Sequence, residues 1–312
     1  MTSDLNISVV IPLYNKEKQV GWTLESVLAQ TFQDFEVVIV DDGSTDGSAE
    51  VVKKFDDPRI RLIRQANAGV SAARNRGIDA ARYDYIALLD ADDLWEPEYL
   101  ETQVNLIKEY SECDVFATNY KFMDVYGNSF PTILNKLKIK RGILDNYFEV
   151  ATHSHPPICS ISIVAKKETF KGIGGFPTNI KSGEDLLTWA RLACRNKIAY
   201  STETLAIYNL GEGYEYGNEP VRRQDKGDPV GKALNKLHIE NPDIPYLRRY
   251  IGHWHKMRAS VAIRFGERKE TLQECFISLK YYPTNTKIFP FIILSIIPSF
   301  IRKRIIAFKK HS

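Results

Sequence analysis

The chain has 312 residues, 44% of them hydrophobic and 26% charged, the composition of an ordinary globular protein long enough for about two domains. Lys and Arg number 42 against 39 Asp and Glu, a net charge of +3, so no basic excess asks for a nucleic-acid partner. Four cysteines, at 113, 159, 194 and 275, lack CxxC spacing and are too few for a disulfide framework, which excludes a cystine-stapled fold.

The chain opens with MTSDLN, which has neither a basic nor an apolar run; no leader is expected, and the expected setting is cytoplasmic. Residues 7–11 (ISVVI) form an apolar run ending at Pro12, a buried strand. Val20, Leu24, Val27 and Leu28 recur at helical spacing within residues 18–30. Residues 36–40 (EVVIV) are the next strand, followed by the polar turn DDGSTDG at 41–47, a short helix at 48–55 and a strand at 60–63. An Ala-rich helix is expected at 68–81 and a strand at 85–89 (YIALL), stopped by DADD at 90–93. Pro97 stands at a first helical position, ahead of the apolar stripe Leu100, Val104 and Ile107.

Alternating strands and helices with unbroken Val, Ile and Leu runs predict a mostly parallel central sheet covered by helices on both faces. Residues 1 to about 120 therefore read as a doubly wound nucleotide-binding half, and about 121–220 as a second half. In that half, 115–120 and 158–165 are strand candidates and 184–196 a helix, while residues 208–220 hold three glycines and read as loop. Helical patterns dominate from about 230, which sets a soft boundary near 220 and a mainly helical region over 221–312.

In an open parallel sheet, ligands bind outside the carboxyl ends of the strands. Three polar clusters fall there: Asp41 and Asp42, residues 67–75 (NAGVSAARN) and DADD. Asp90, Asp92 and Asp93 put three carboxylates within four residues, which repel unless a cation sits among them. Mg²⁺ or Mn²⁺ suits such a site, completed by water and phosphate, although Asp is also favoured in turns and caps. A carboxylate at Asp42 suits a base N–H or a ribose hydroxyl. The helix start at Gly69, with Arg74 one turn in, suits a diphosphate. No GxxxxGK[ST] or GxGxxG follows a strand, so ATPase and dinucleotide-dehydrogenase fingerprints are missing. Glu184 and Asp185 open a helix, where the dipole alone favours acids; the functional alternative is a general base. His153, His155, His253 and His255 read as loop, packing or surface residues.

Taken together, VVIPLYN (9–15), QTFQDFE (30–36), VDDGSTD (40–46), NAG…ARN (67–75), LDADD (89–93) and Glu184–Asp185 resemble the successive motifs of the family 2 glycosyltransferases. The resemblance covers about residues 6–200. It implies an α/β fold of GT-A type and inverting transfer of a sugar, from a nucleotide-diphosphate donor to an acceptor hydroxyl of a glycan or lipid-linked saccharide. It implies that Pro12, Tyr14 and Asn15 line the nucleotide pocket with Asn67, that Asp42 contacts the base (commonly uracil), and that Arg74 and Asp92 serve the donor. It further implies a metal ion, Mn²⁺ or Mg²⁺, at Asp90, Asp92 and Asp93, with Asp185 as catalytic base and Glu184 beside it. Surface-polysaccharide synthesis fits such an enzyme. A sugar-1-phosphate nucleotidyltransferase and an inactive nucleotide-sugar-binding protein are the alternatives, the former lacking its Gly-rich loop and paired lysines. Many relatives carry Arg or His after a late Tyr; here Tyr208 is followed by Asn-Leu-Gly, and residues 211–217 are a candidate lid.

The apolar run at 288–301 (IFPFIILSIIPSFI) is followed by Arg302, Lys303, Arg304, Lys309 and Lys310. It is shorter than the ~20 residues of a spanning helix and is broken by two prolines. Peripheral contact of 288–312 with an anionic membrane surface is expected; a helix packed on the catalytic domain is the alternative.

Overall fold

A computed structural model describes residues 5–211 and 223–298. The first half alternates as the patterning predicts: β1 (Ile7–Leu13), α1 (Val20–Leu28), β2 (Phe35–Asp41), α2 (Ser48–Lys53), β3 (Ile60–Arg64), α3 (Val70–Ala80) and β4 (Tyr85–Leu88). There follow β5 (Leu94–Trp95), α4 (Tyr99–Glu109), β6 (Val115–Met123), β7 (Ser129–Pro131), β8 (Arg141–Ile143), α5 (Tyr147–His153), β9 (Ile163–Lys166), α6 (Lys167–Gly172), α7 (Glu184–Arg195) and β10 (Ile198–Asn209). Helices α8 (Pro229–Glu240), α9 (Leu247–Arg264), α10 (Arg268–Tyr281) and α11 (Phe289–Ile296) complete the described chain.

The strands form one sheet in the order β3-β2-β1-β4-β9-β6-β10-β5, with β7 beside β6 and β8 beside β10. Its longest ladders, β1–β2 and β6–β10, are parallel, as are β2–β3 and β1–β4. Strand β9 runs antiparallel between β4 and β6, and the short β5, β7 and β8 are antiparallel as well. The sheet is therefore parallel across β3-β2-β1-β4 and mixed beyond β4.

Alternate residues of each strand enter opposite cores, as the two-residue period requires. Val10, Val38 and Leu88 face one core with Ile78 of α3, Phe148 of α5, Trp189 of α7 and Leu234, Tyr250 and Trp254 of α8 and α9. Val9, Ile11, Val37, Ile39 and Ala87 face the other with Leu24 of α1, Val52 of α2 and Leu100 and Val104 of α4. Helix α3 lies so close to β1 that a Cβ at Gly77 would stand 2.3 Å from Val10 Cγ1. The first core runs unbroken past residue 220, so the boundary expected there is not a break in packing.

Several elements differ from the sequence expectation: β5, β7, β8, α5 and α6 were not among the predicted elements, and β9 and β10 differ as follows. Of the strand candidate at 158–165 only its end is strand, because Cys159 and Ser162 close a turn: the Ser162 N–H donates to Cys159 O at 3.1 Å, and the Cys159 N–H to Ser162 Oγ at 3.1 Å. The twelve-residue β10, between β6 and β5 in the sheet, had no counterpart in the predicted elements.

Candidate active site

The chain leaves β1 to build β2 and β3 on one side, then returns to place β4 on the other side of β1. That reversal is a topological switch point, where the loops following adjacent strands part and leave a crevice. A cleft of about 1370 Å³ opens there. Pro12, Tyr14 and Asn15 line it after β1, Asp42 after β2, Asn67 and Arg74 around the start of α3, and Asp90 and Asp92 after β4. Glu184 and Asp185, in the first turn of α7, line it as well. Of the residues given a donor, metal or catalytic role from the sequence, Asp93 is not among its lining.

Near β1 and β2 the loops hold one another. Asn15 is left-handed (φ 51°); its N–H donates to Ser44 Oγ at 3.1 Å, and its side-chain oxygen accepts the Thr45 N–H at 2.8 Å. Tyr14 is 47% exposed at the mouth, leaving a ring face for a planar ligand. Asp42 is buried, and its carboxylate accepts Gln65 Nε2 (2.7 Å) and the N–H groups of Ala68 (2.9 Å) and Gly69 (2.8 Å). Asp42 thus already fixes the loop into α3, and the Gly69 amide, at the helix start expected to meet a diphosphate, is spent on it.

Arg74 is buried, with Nη2 donating to both oxygens of Asp90 at 2.7 and 2.9 Å and its guanidinium 5.2 Å from the centre of the Phe176 ring. Burial works against the charge, but the carboxylates of Asp90, Asp185 and Glu184 outweigh it and raise the arginine pKa. Its Nε and Nη1 are buried with no hydrogen-bond partner among the described residues. Orphaned donors on a buried cation in a cleft wall fit an anionic ligand. Asp90 also accepts Ser160 Oγ at 2.8 Å, and Asp92 pairs with Lys16 Nζ at 2.5 Å.

Asp93 differs in its surroundings from Asp90 and Asp92, the other two carboxylates of the expected metal cluster. It is 2% exposed, and its Oδ1 accepts the Asn209 N–H at 2.7 Å, tying the DADD turn to the end of β10. Burial, followed by the charges of Asp90 and Asp92, holds its pKa well above the ordinary value. Among the described residues no group of three or more His, Cys, Asp or Glu side chains is arranged to hold a metal ion. The donor chemistry still fits a hard cation. Asp92, with Asp90 beside it, offers one or two carboxylates, the number Mg²⁺ uses when substrate phosphates and water supply the rest.

Asp185 stands at the N-terminus of α7 behind the left-handed Gly183 (φ 84°). Burial raises its pKa, its bonded Leu186 N–H (2.7 Å) and Arg74 oppose the rise, and Asp90 adds to it. A carboxylate of raised proton affinity in a cleft is suited to proton abstraction.

The cleft also takes Lys16, Ser160, Thr178, Lys181 and Arg223, none of which the sequence reading singled out. Lys16 directly follows the VVIPLYN motif, a signal that was there to use; the others are single polar residues in loops. The four histidines lie outside the lining: His153 packs with Tyr246 and Tyr282, His155 with Phe122, and His255 bonds Glu274. All four cysteines are free thiols. Of the candidate lid, only Gly211 is among the described residues.

The profile of the family described as "Glycosyl transferase family 2" matches residues 8–166. The glycosyltransferase GlyA of Streptococcus pneumoniae is 43% identical over 222 residues, covering 68% of this chain and 32% of that protein. The putative teichuronic acid biosynthesis glycosyltransferase TuaG of Bacillus subtilis is 31% identical over 208 residues, covering 65% of this chain and 79% of that one. The chain spans about a third of the length of GlyA and of two Rickettsia glycosyltransferases it matches. Among solved structures, S. aureus TarS 1–349 superposes with a TM-score of 0.67 at 18% identity, covering 98% of this chain and 89% of that chain. The same protein has been solved with UDP-GlcNAc, at a TM-score of 0.65. The fold is accordingly the GT-A type of those enzymes.

Proposed function

The chain belongs to glycosyl transferase family 2, and we propose that it transfers a sugar from a UDP-sugar to a hydroxyl of a glycan or lipid-linked acceptor, with inversion, in surface-polysaccharide synthesis. The observation that carries this reading is a single cleft lined at once by Asp92 with Lys16, by Arg74 with unspent donors, and by Asp185. The UDP-GlcNAc bound to TarS and the pathway in TuaG's name support the donor class and the setting.

In this reading Tyr14 and Asn15 border the base, Asp42 holds the loop beneath it, and Lys16 and Arg74 meet the diphosphate as cations. Asp92 and Asp90 would hold a Mg²⁺ or Mn²⁺ ion, which when bound supplies positive charge against the departing diphosphate. Asp185 takes the proton of the acceptor hydroxyl as its oxygen attacks the anomeric carbon. The C–O bond to the diphosphate breaks as the new one forms, and one displacement inverts the centre. No second carboxylate nucleophile is needed, as a retaining route through a covalent intermediate would require.

The reading extends to location. Among the described residues no helix is long and apolar enough to cross a membrane. Helix α11 exposes Phe289 (52%), Ile293 (57%) and Ile296 (71%), positions four and three apart and so on one face. The five basic residues from Arg302 to Lys310 follow in sequence, outside the described residues. An apolar face followed by uncompensated positive charge suits the interface of an anionic bilayer.

The test is a thermal-shift panel of UDP-, GDP-, CMP- and dTDP-sugars, each with Mn²⁺ and with EDTA. A ligand at 100 times its dissociation constant adds about 2.7 kcal/mol, so the UDP-sugars should raise the melting temperature in the presence of metal. Asp185→Asn should keep that shift and lose UDP release from the same donor. A folded protein that no nucleotide sugar stabilises would sink the reading.

A further inference from the structure

The base segment 181–185 is gripped from behind by residues beyond 220, far from it in sequence. Trp254 of α9 is buried, and its six-membered ring lies against the helix-capping glycine. A Cβ added at Gly183 would stand 2.6 Å from Trp254 Cη2 and 2.8 Å from Cζ3. The Trp254 Nε1–H donates to Asp228 Oδ1 at 3.0 Å. Asp225, three residues earlier, accepts the Lys181 N–H at 2.8 Å. Two contacts two residues apart therefore flank the approach to Asp185, one made by Asp225 and the other by Trp254, which Asp228 holds.

That stretch is anchored in turn. Asp228 is left-handed (φ 47°) at the N-cap of α8, accepting the Gly231 N–H at 3.0 Å. The buried Arg258 reaches Asp228 Oδ1 at 3.5 Å and the Asp225 carbonyl at 3.5 Å, while its Nε donates to Glu274 of α10 at 2.6 Å. The same Glu274 bonds His255 at 2.6 Å. Charges are kept in an interior only when paired and hydrogen-bonded, and rotamers locked by packing and by further hydrogen bonds are what hold a reacting group in place. None of these six side chains lines the cleft.

We infer that Trp254 and Asp228 are positioning residues: with Asp225 they clamp the loop into α7 and fix Asp185 for proton abstraction, the Arg258–Glu274 pair holding the clamp rigid. This rests on Asp185 being the base. The C-terminal helices thereby belong to the catalytic apparatus without touching substrate, and a misplacement of about 1 Å is worth about 100-fold in rate.

The experiment compares full-length wild type with Trp254→Phe, Asp228→Asn, Gly183→Ala and Asp185→Asn. Phe withdraws the N–H from Asp228 and the outer ring atoms from Gly183, whereas Asn at 228 keeps the size and one acceptor oxygen. UDP release from the UDP-sugar that stabilises the protein gives kcat and KM, and hydrogen–deuterium exchange follows residues 181–187 without reference to activity. Trp254→Phe should lower kcat by about 10- to 100-fold with donor KM and melting cooperativity kept, and should speed exchange at 181–187 but not in β1 or β4. Asp228→Asn should fall between it and wild type. Because Gly183→Ala spoils the same contact, its loss combined with Trp254→Phe should be less than multiplicative. Unchanged exchange at 181–187 in Trp254→Phe, or a loss confined to KM, would overturn the clamp. Turnover surviving in Asp185→Asn would instead remove the base assignment and leave the exchange result to judge the clamp alone.

Discussion

Asp92 and Asp93 are neighbours in sequence with opposite environments: one faces the cleft beside Lys16, and the other is buried and holds the Asn209 N–H. Asp93→Asn keeps an acceptor oxygen for that N–H, so the variant should fold and retain metal-dependent UDP binding within about twofold, under 1 kcal/mol. Asp92→Ala removes a cleft carboxylate and should weaken binding at least tenfold with Mn²⁺ while changing little in EDTA. Titration calorimetry checks both, and equal losses would return Asp93 to the donor shell. Three aspartates in four residues were legible as a site, but which carboxylate faces ligand depends on where β10 ends, a contact 116 residues away in sequence. Asp185 gives a pH prediction. Its pKa is raised by burial and by Asp90 and held back by the Leu186 N–H and Arg74, and a base works only when deprotonated. Activity should therefore fall as pH drops through a midpoint above the ordinary aspartate value of about 3.9. Arg74→Gln withdraws one opposing influence and should move that acidic limb of kcat/KM upward; a limb moved downward would contradict the assignment.

At the scale of elements, the first half was legible because β1, β2 and β4 are buried on both faces and read as apolar runs between Gly- and Asp-rich turns. Strand β10 (IAYSTETLAIYN) offered neither signal. It is buried at its start and half-exposed after Ser201, and its register against β6 shifts between Ser201, Thr204 and Ala206, so the alternation breaks midway. The site residues missed, Ser160 and Thr178 among them, are single polar side chains that only tertiary proximity makes functional. Helix α11 is the converse case, an element whose sequence was legible and whose exposed face now asks for a surface. Full-length protein should float with vesicles containing phosphatidylglycerol, less so in high salt, and poorly with phosphatidylcholine alone. Replacing Phe289, Ile293 and Ile296 by serine should abolish flotation without lowering the melting temperature. Flotation unaffected by those serines, or absent from wild type, would remove the membrane face from the proposal.

For the whole molecule, the question is whether the helices after residue 220 form a domain or a wall of the catalytic core. Val230, Leu234, Leu237, Leu247, Tyr250, Ile251 and Trp254 are buried in the same cluster as Phe148, Phe176 and Trp189. Burying a large apolar side chain contributes about 1.5–3 kcal/mol, so seven contribute on the order of 10–20 kcal/mol even before cavities are counted. That is as large as the entire net stability of a typical domain, about 5–15 kcal/mol. Removing α8 and α9 would also bare the faces of α5 and α7 that they cover, and free the base segment from its clamp. Residues 1–220 alone should therefore fail to melt cooperatively and should aggregate. A chain ending at residue 287, which loses α11 but keeps α8 to α10, should retain a single cooperative transition near that of the full chain. Calorimetry and near-UV circular dichroism on both truncations decide the matter. A sharply melting, nucleotide-binding 1–220 fragment would mean the helices are an appended domain, and the positioning of Asp185 from behind would then be a convenience of packing rather than a requirement of the fold.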